Sequence, residues 1–275
     1  VNNLTEVTEF FLVGFQVSHG LRIFLFCLLL VIYWGTLCGN LLIMTLVSTS
    51  RNLRTPMYFF ISQLSIGDLL VFTDIVPNML HILLKNGATI TFIGCISQLF
   101  LFCGAEVFEC FLLTVMSYDR YVAICNPLRY TSIMTVAHCV KLSITCWLIE
   151  FSIILIYFIK ISNIIFCVPI LFIPITIIVI SYINIILAVL RIPSSTGRQK
   201  AFSTCSSHLI VVSIFYWAIF SVYTVPTKGQ TLTISKILSL LYTVFTPFIN
   251  PIIYSLRNRD IRKAVQELLH KCGIH

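Results

Sequence analysis

The sequence predicts an all-α integral membrane protein in which seven transmembrane helices form a bundle, followed by a short cytoplasmic amphipathic helix. Three observations predict this fold class. Of the 275 residues, 58% are hydrophobic and only 10% are charged, a composition far outside that of ordinary soluble domains. The apolar residues form seven runs, each long enough to cross a hydrocarbon layer of ~30 Å. The basic residues lie between these runs and favour every second gap.

Short polar stretches separate the seven runs. The fourth and fifth nearly touch, and Lys160, Ser162 and Asn163 mark the polar break between them. The predicted spans, all within one membrane domain, are approximately 23–47, 57–80, 93–118, 138–159, 161–190, 204–225 and 233–256.

The distribution of Lys and Arg predicts the orientation. Thirteen of the 18 lie on one side of the predicted bundle, and five lie on the other, namely Arg22, Lys85, Lys160, Lys228 and Lys236. The positive-inside rule therefore places the tail, 257–275, in the cytoplasm, and the odd number of spans places 1–22 outside. The sequon at Asn3 agrees with an extracellular, glycosylated start, although such triplets also arise by chance.

Other function classes fit the sequence poorly. The net charge of +8 does not indicate a nucleic-acid binder, because the basic residues are not clustered on a soluble surface. Most of the eleven cysteines lie inside apolar runs, where Cys packs as a small hydrophobe. The start, VNNLTEVTEF, lacks the pattern of a cleavable leader, so the first span is expected to direct insertion. The sequence has no metal-ligand spacing, nucleophile turn or phosphate loop that would indicate an enzyme. It also has no inverted repeat that would indicate a transporter.

The tail, RNRDIRKAVQELLHKC, has apolar residues at helical spacing with Arg and Lys between them. This pattern predicts a helix that lies along the inner membrane surface. Cys272 could carry a palmitoyl chain there or remain a free thiol.

Five acidic residues fall inside predicted spans, where each charge costs ~3 kcal/mol on insertion scales. They are Asp68, Asp74, Glu106, Glu109 and Glu150. Asp68 and Glu109 could meet Asn40 as a cluster of oxygens that holds a sodium ion, or as a hydrated network that shares one proton. Glu106 could reach a ligand pocket or pair internally, and Asp74 and Glu150 are interpreted as structural.

Asp119 and Arg120 are adjacent at the end of the third span. A carboxylate can hold the permanently charged arginine, and its release would expose hydrogen-bond donors to a partner. Alone, such a pair is often only a solvated ion pair. Pro174, Pro247 and Pro251 each remove a helix hydrogen bond in a later span and permit bending.

Several contiguous motifs run along the chain, namely TEFFLVGF, GN at Gly39, PMYFFISQLSIGDLL, MSYDRYVAIC, SY at Ser181, KAFSTCSSHL and PFINPIIYSLRN. Together these motifs resemble olfactory receptors of the rhodopsin-like class of G-protein-coupled receptors over nearly the whole chain. The resemblance implies a small volatile odorant as ligand, a stimulatory heterotrimeric G protein as partner, cyclic AMP as output and the plasma membrane as location. It implies no cofactor other than an allosteric sodium ion at Asn40, Asp68 and Glu109.

The resemblance also implies residue roles. The G-protein switch would comprise Asp119, Arg120, Tyr121, Tyr182, Asn250, Pro251 and Tyr254. The odorant would bind a mostly apolar pocket lined by Phe102, Cys103, Glu106, Val107, Phe166, Tyr216, Phe220, Tyr223 and Thr243.

One feature departs from the family pattern, which has a long second extracellular loop with a cysteine bonded to the position of Cys95. From Trp147 to Pro174 is 174 − 147 = 27 residues, and two half-crossings use about 20 of them. Almost no loop remains, and Cys167 is predicted a turn or more inside the fifth helix, too far for an unstrained bond. Cys95 is therefore expected to be unpaired. A truncated, non-signalling copy and a receptor for a small amine held by Glu106 are the alternative functions.

Overall fold

The computed structural model describes residues 8–14, 17–85, 87–159, 167–224 and 231–271. These residues form seven long helices, a shorter one at the end of the described chain, and a single helical turn at Tyr130–Ile133. The helices are α1 (His19–Thr49), α2 (Pro56–Lys85), α3 (Phe92–Cys125), α4 (Val136–Ile159), α5 (Cys167–Leu190), α6 (Ser195–Thr224), α7 (Thr231–Arg257) and α8 (Arg259–Lys271). Among the described residues, α1 to α6 each contain a stretch long and apolar enough to cross a membrane. The predicted all-α bundle with its amphipathic helix is confirmed.

The helices extend beyond several of the predicted spans. The largest difference is at α6, which begins at Ser195, nine residues before the predicted start of that span. Hydropathy detects only the part of a helix that lies in hydrocarbon, whereas a helix can continue into water with polar residues such as Arg198 and Gln199. The predicted break at residues 160–163, and the predicted start of the fifth span at 161, lie outside the described residues.

Local sequence signals account for several helix ends. The Ser18 hydroxyl accepts a hydrogen bond from the Leu21 amide (3.4 Å) at the start of α1, and the Thr91 hydroxyl accepts one from the Gly94 amide (3.1 Å) at the start of α3. These side chains satisfy amides that have no partner within the helix. At its other end, α3 stops at Cys125 because Asn126 precedes Pro127, and a residue before proline avoids the helical conformation.

A small antiparallel sheet, which the sequence analysis did not predict, lies at the end of the bundle where α3 begins. Strand β1 (Glu9–Leu12) pairs with β2 (Ala88–Thr91), with Glu9 opposite Thr91. Gly87 precedes β2 with a φ of 135°, and a Cβ at this position would lie 2.6 Å from the Phe11 ring. Only glycine fits this turn without strain. The chain before α1, predicted only as an extracellular segment, is thus anchored to the α2–α3 connection.

Helix α3 occupies the centre of the bundle and contacts α2, α4, α5 and α6. Its Phe108 is fully buried and stacks on Trp147 of α4, with ring centroids 4.0 Å apart. On the other side, Gly67 of α2 leaves room for the same ring, since a Cβ there would lie 3.3 Å from it. Small residues permit this close approach of membrane helices.

Gly104 of α3 packs directly against Glu150 of α4, which is buried. A Cβ at Gly104 would overlap the Glu150 Oε1 atom and lie 2.9 Å from the Ile154 side chain. The other carboxyl oxygen, Oε2, is also buried and has no hydrogen-bond partner within the described part of the chain. Glu150, interpreted from sequence as a structural group, therefore fills the contact between α3 and α4.

Gly104→Val should lower the stability of the purified protein, because the valine requires the Glu150 carboxyl and Ile154 to move. Overpacking of this kind costs about 1–3 kcal/mol, measurable as a lower midpoint of thermal unfolding in detergent. Glu150→Ala in the same chain should restore most of the loss. Gly20→Val is the matched control, since nothing lies within 4 Å of a Cβ there. Equal midpoints for Gly104→Val and Gly20→Val would contradict this packing.

Candidate functional site: the ion pair and the polar core of the bundle

Asp119 and Arg120 form an ion pair at the end of α3 opposite the sheet. The Arg120 Nε donates to Asp119 Oδ2 at 2.9 Å, and the Arg120 Nη2 donates to the same oxygen. The hydroxyl of Tyr130, in the helical turn Tyr130–Ile133, donates to Asp119 Oδ1 at 2.8 Å. Both carboxylate oxygens are therefore occupied.

Burial distinguishes this pair from an ordinary surface ion pair. Asp119 is fully buried and Arg120 is 8% exposed. Burial raises the pKa of the Tyr130 hydroxyl well above its usual range, and the nearby Asp119 carboxylate raises it further. The hydroxyl therefore stays protonated and remains a donor. Because an uncompensated buried charge is costly, Asp119 and Arg120 constrain each other wherever they stay buried.

Tyr182 of α5 and His208 of α6 form a second buried polar contact in this half of the bundle. The Tyr182 hydroxyl lies 2.6 Å from His208 Nδ1, and His208 Nε2 lies 3.1 Å from the Leu113 carbonyl oxygen of α3. A neutral imidazole satisfies both contacts if Nε2 carries the proton. His208 thus connects α3, α5 and α6.

His208 is absent from the residues singled out by sequence. Its signal was present, because it is a titratable residue inside an apolar span and part of KAFSTCSSHL. Tyr254, grouped with Tyr182 in the predicted switch, is buried, and its hydroxyl has no hydrogen-bond partner in the described residues. Tyr121 of the same predicted set is half-buried at the edge of the core.

Asp68, Glu109 and Asn250 meet in the middle of the bundle. The Asn250 Nδ2 lies 3.3 and 3.1 Å from the two Asp68 carboxyl oxygens and 3.4 Å from Glu109 Oε1. All three side chains are buried. One amide from α7 therefore bridges carboxyl groups of α2 and α3, which sequence reasoning placed together without naming Asn250 as their donor.

Asn40, the third residue of the predicted sodium site, is fully buried on α1 and contacts α7. Its Nδ2 donates to the carbonyl oxygens of Thr36 (3.1 Å) and Pro247 (3.3 Å). Its Oδ1 has no hydrogen-bond partner among the described residues. A buried, unpartnered amide oxygen and two carboxyl groups suit a hard cation, although three acidic or imidazole ligands do not cluster anywhere in the described part.

Gly39, next to Asn40, allows α1 to approach α7. A Cβ at Gly39 would lie 3.2 Å from the Pro251 ring. Pro251 is itself buried between these helices. In the GN pair, Gly39 thus lets α1 come close to Pro251, and Asn40 donates a hydrogen bond to the Pro247 carbonyl one turn earlier on α7.

The predicted ligand-lining residues differ in how far their side chains are buried. Those with partly buried side chains are Phe102, Cys103, Glu106, Val107, Tyr216 and Thr243. The Tyr216 hydroxyl of α6 lies 3.2 Å from the Cys110 sulfur of α3, and the Oε2 of Glu106 is buried without a hydrogen-bond partner in the described chain. Tyr216 thus joins α6 to α3 at Cys110.

Phe220, another of the predicted ligand-lining residues, lies on the outer face of α6. Its side chain is 66% exposed, and it continues an exposed row on α6 that includes Ser213, Trp217 and Thr224. Residues three or four apart share one helix face, so Phe220 faces outward from the bundle. Sequence position near the end of a span does not reveal which face a residue occupies.

Four further positions remain from the sequence analysis: Phe166, Tyr223, Asn3 and Cys95. Phe166 and the glycosylation position Asn3 lie outside the described residues, as does the side chain of Tyr223. Cys95 is a half-buried free thiol near the start of α3.

The helical bundle and its buried polar contacts are those expected of a seven-transmembrane receptor, and comparisons with known proteins agree. A family model described as 7 transmembrane receptor (rhodopsin family) matches residues 39–163. A second, described as Olfactory receptor, matches residues 158–272.

Olfactory receptor 6N1 of Homo sapiens is 40% identical over 306 positions, which cover 99% of this chain and 98% of the relative. Olfactory receptor 2A7 of Mus musculus is 39% identical, over 98% of this chain and 97% of the relative. The chain belongs to the olfactory receptor family, and is thus a receptor rather than an enzyme.

The alignment lengths also bear on the short second loop. With 306 aligned positions against 275 residues, at least 306 − 275 = 31 positions of the human relative have no residue of this chain opposite them. The two family models meet at residues 158–163, which is where the sequence predicts the break between the fourth and fifth spans.

Proposed function

We propose that this chain is an odorant receptor that activates a stimulatory heterotrimeric G protein when a small, mostly apolar ligand binds between α3 and α6. The buried Asp119–Arg120 pair, held by Tyr130, is the observation that carries the proposal. Ligand binding shifts the equilibrium toward a packing in which Arg120 leaves Asp119 and contacts the G protein. The chain lies in the plasma membrane with its N-terminus extracellular and its C-terminus cytoplasmic.

The second half of the mechanism concerns how the ligand site communicates with Arg120. Tyr216 contacts Cys110 of α3, and the neighbouring residue, Glu109, contacts Asn250 of α7. Farther along, His208 joins α6 to α3 at Leu113. A ligand that displaces α6 from α3 at Tyr216 therefore acts on the helix that also carries His208. Tyr182 and Tyr254 rearrange when that contact opens.

A cyclic AMP reporter in cultured cells tests this function. A panel of small alcohols, aldehydes, esters, thiols and amines should contain ligands that raise cyclic AMP in a dose-dependent way. No response to any chemical class, in cells that display the chain at their surface, would contradict the proposal. Glu106→Gln should keep the responses to uncharged ligands, whereas an amine response lost in this variant would instead favour an amine receptor.

We also propose that a sodium ion binds to oxygens of Asp68, Glu109 and Asn40. The unpartnered Asn40 Oδ1 and the two carboxyl groups support this assignment. The ion would neutralise negative charge in the core and favour the packing in which α2, α3 and α7 are close together.

Sodium should therefore raise the unfolding midpoint of the purified chain above that in potassium at equal ionic strength. The difference should disappear in Asp68→Asn and persist in Asp74→Asn, which removes an acid elsewhere on the same helix. Equal midpoints in the two salts would favour a shared proton over a bound ion.

A further inference from the structure

A cleft of about 480 Å³ lies where α8 passes the end of α1, at the Arg120 end of the bundle. Its volume falls within the range of small-ligand pockets, ~300–1,000 Å³. The lining combines buried or half-buried apolar side chains with more exposed polar ones, and comprises Leu46, Ala264, Leu268, Thr49, Ser50, Arg51, Asn52 and Glu267. The cleft is therefore amphipathic, with apolar walls below a polar edge.

The polar edge carries two opposite charges. Arg51 follows α1, and Glu267 belongs to α8. Among the described residues, the Arg51 and Glu267 side chains do not form an ion pair with each other, and neither forms a hydrogen bond. A ligand that carries both an anion and a cation would complement the two charges together.

The surroundings indicate that such a ligand reaches the cleft from the membrane. Helix α1 exposes a row of apolar side chains that includes Val31, Trp34, Leu41 and Leu42. Leu46, in the wall of the cleft, follows Leu42 by one helical turn. On a membrane helix this exposed surface contacts acyl chains, and amphipathic α8 lies at the level of the headgroups.

We propose that this cleft binds the headgroup of an aminophospholipid such as phosphatidylethanolamine. The Arg51 guanidinium and the Asn52 side-chain amide, both in the lining of the cleft, donate to the phosphate. The primary ammonium group donates to Glu267, and the acyl chains run along α1. The bound lipid links α8 to the end of α1. The inference requires the chain to be a membrane protein but does not depend on an odorant or a G protein.

The experiment is a lipid titration of the full chain in phosphatidylcholine nanodiscs, with retained lipids counted by native mass spectrometry. Phosphatidylethanolamine should be retained more strongly than phosphatidylglycerol. Arg51→Gln should weaken retention by about fivefold, as expected for one phosphate-binding charge near the membrane surface. Glu267→Gln should abolish the preference for phosphatidylethanolamine over phosphatidylcholine. Arg54→Gln, which removes an exposed arginine outside the cleft, should change neither result.

Two results would overturn the proposal. One is stronger retention of phosphatidylglycerol than of phosphatidylethanolamine, which would make the cleft a site for anionic headgroups. The other is a preference for phosphatidylethanolamine that survives Glu267→Gln. A soluble probe, phosphoethanolamine without acyl chains, should not displace the lipid at equal concentration if the α1 surface contributes to binding. Because no signal is measured, these outcomes are independent of the proposed receptor activity.

Discussion

Arg120→Ala should abolish ligand-evoked cyclic AMP production without preventing membrane insertion. The variant removes the cation that the proposed active packing presents to the G protein, and it leaves the apolar runs that direct insertion unchanged. Asp119 loses its partner but keeps the Tyr130 hydrogen bond. The readout is the cyclic AMP dose–response curve, normalised to surface labelling of an N-terminal tag.

Arg129→Ala is the matched control, because Arg129 is an exposed arginine in the connection after α3. It should keep the full response. Tyr130→Phe should have the opposite effect to Arg120→Ala, since loss of the hydroxyl frees Asp119 Oδ1 and weakens the contact that holds the pair. Higher cyclic AMP without ligand is therefore expected. Full signalling by Arg120→Ala would contradict the assignment of the switch.

Restoring a second extracellular loop of family length between α4 and α5 should raise surface labelling of intact cells several-fold over that of the present chain. The longer loop would supply a cysteine for the Cys95 thiol. A disulfide between this loop and the start of α3 would restrict the conformations of the unfolded chain and so stabilise the fold. Stability changes of ~1–2 kcal/mol alter cellular abundance several-fold. Labelling of permeabilised cells measures total protein for the comparison.

The matched control is an insertion of equal length that lacks cysteine. If it restores labelling equally, loop length rather than the disulfide is responsible, and Cys95→Ser in the restored chain should then have no effect. Strong labelling of intact cells by the present chain would show that it passes quality control without the loop. Surface delivery of only the restored chain would identify the present one as a non-signalling copy.

Much of the helical fold could be predicted because each span must satisfy its backbone hydrogen bonds internally and remain apolar over its full length. This requirement produces a strong local signal. The start of α6 at Ser195 and the pairing of β1 with β2 carry no such signal. The first lies in polar sequence outside the hydrocarbon, and the second joins residues about eighty positions apart.

The predicted sites divide in the same way. Asp119 and Arg120 are neighbours in sequence, so their pairing could be expected, whereas Tyr130 reaches Asp119 only because α3 ends at Pro127 and the chain turns back. The outward orientation of Phe220 could not be predicted, because composition does not determine which way a helix faces when both its surroundings, lipid and protein core, are apolar.

By itself, the sequence determined the membrane fold, the family and the identity of the ionisable residues that the bundle must accommodate. Those conclusions rest on hydropathy, charge distribution and contiguous motifs, which are local properties of the chain. Only the tertiary structure decided that Asn250 donates to Asp68, that His208 bridges Tyr182 to α3, and that Glu150 fits against Gly104. Each of these contacts depends on how neighbouring helices rotate and approach, and packing across the whole bundle sets that arrangement.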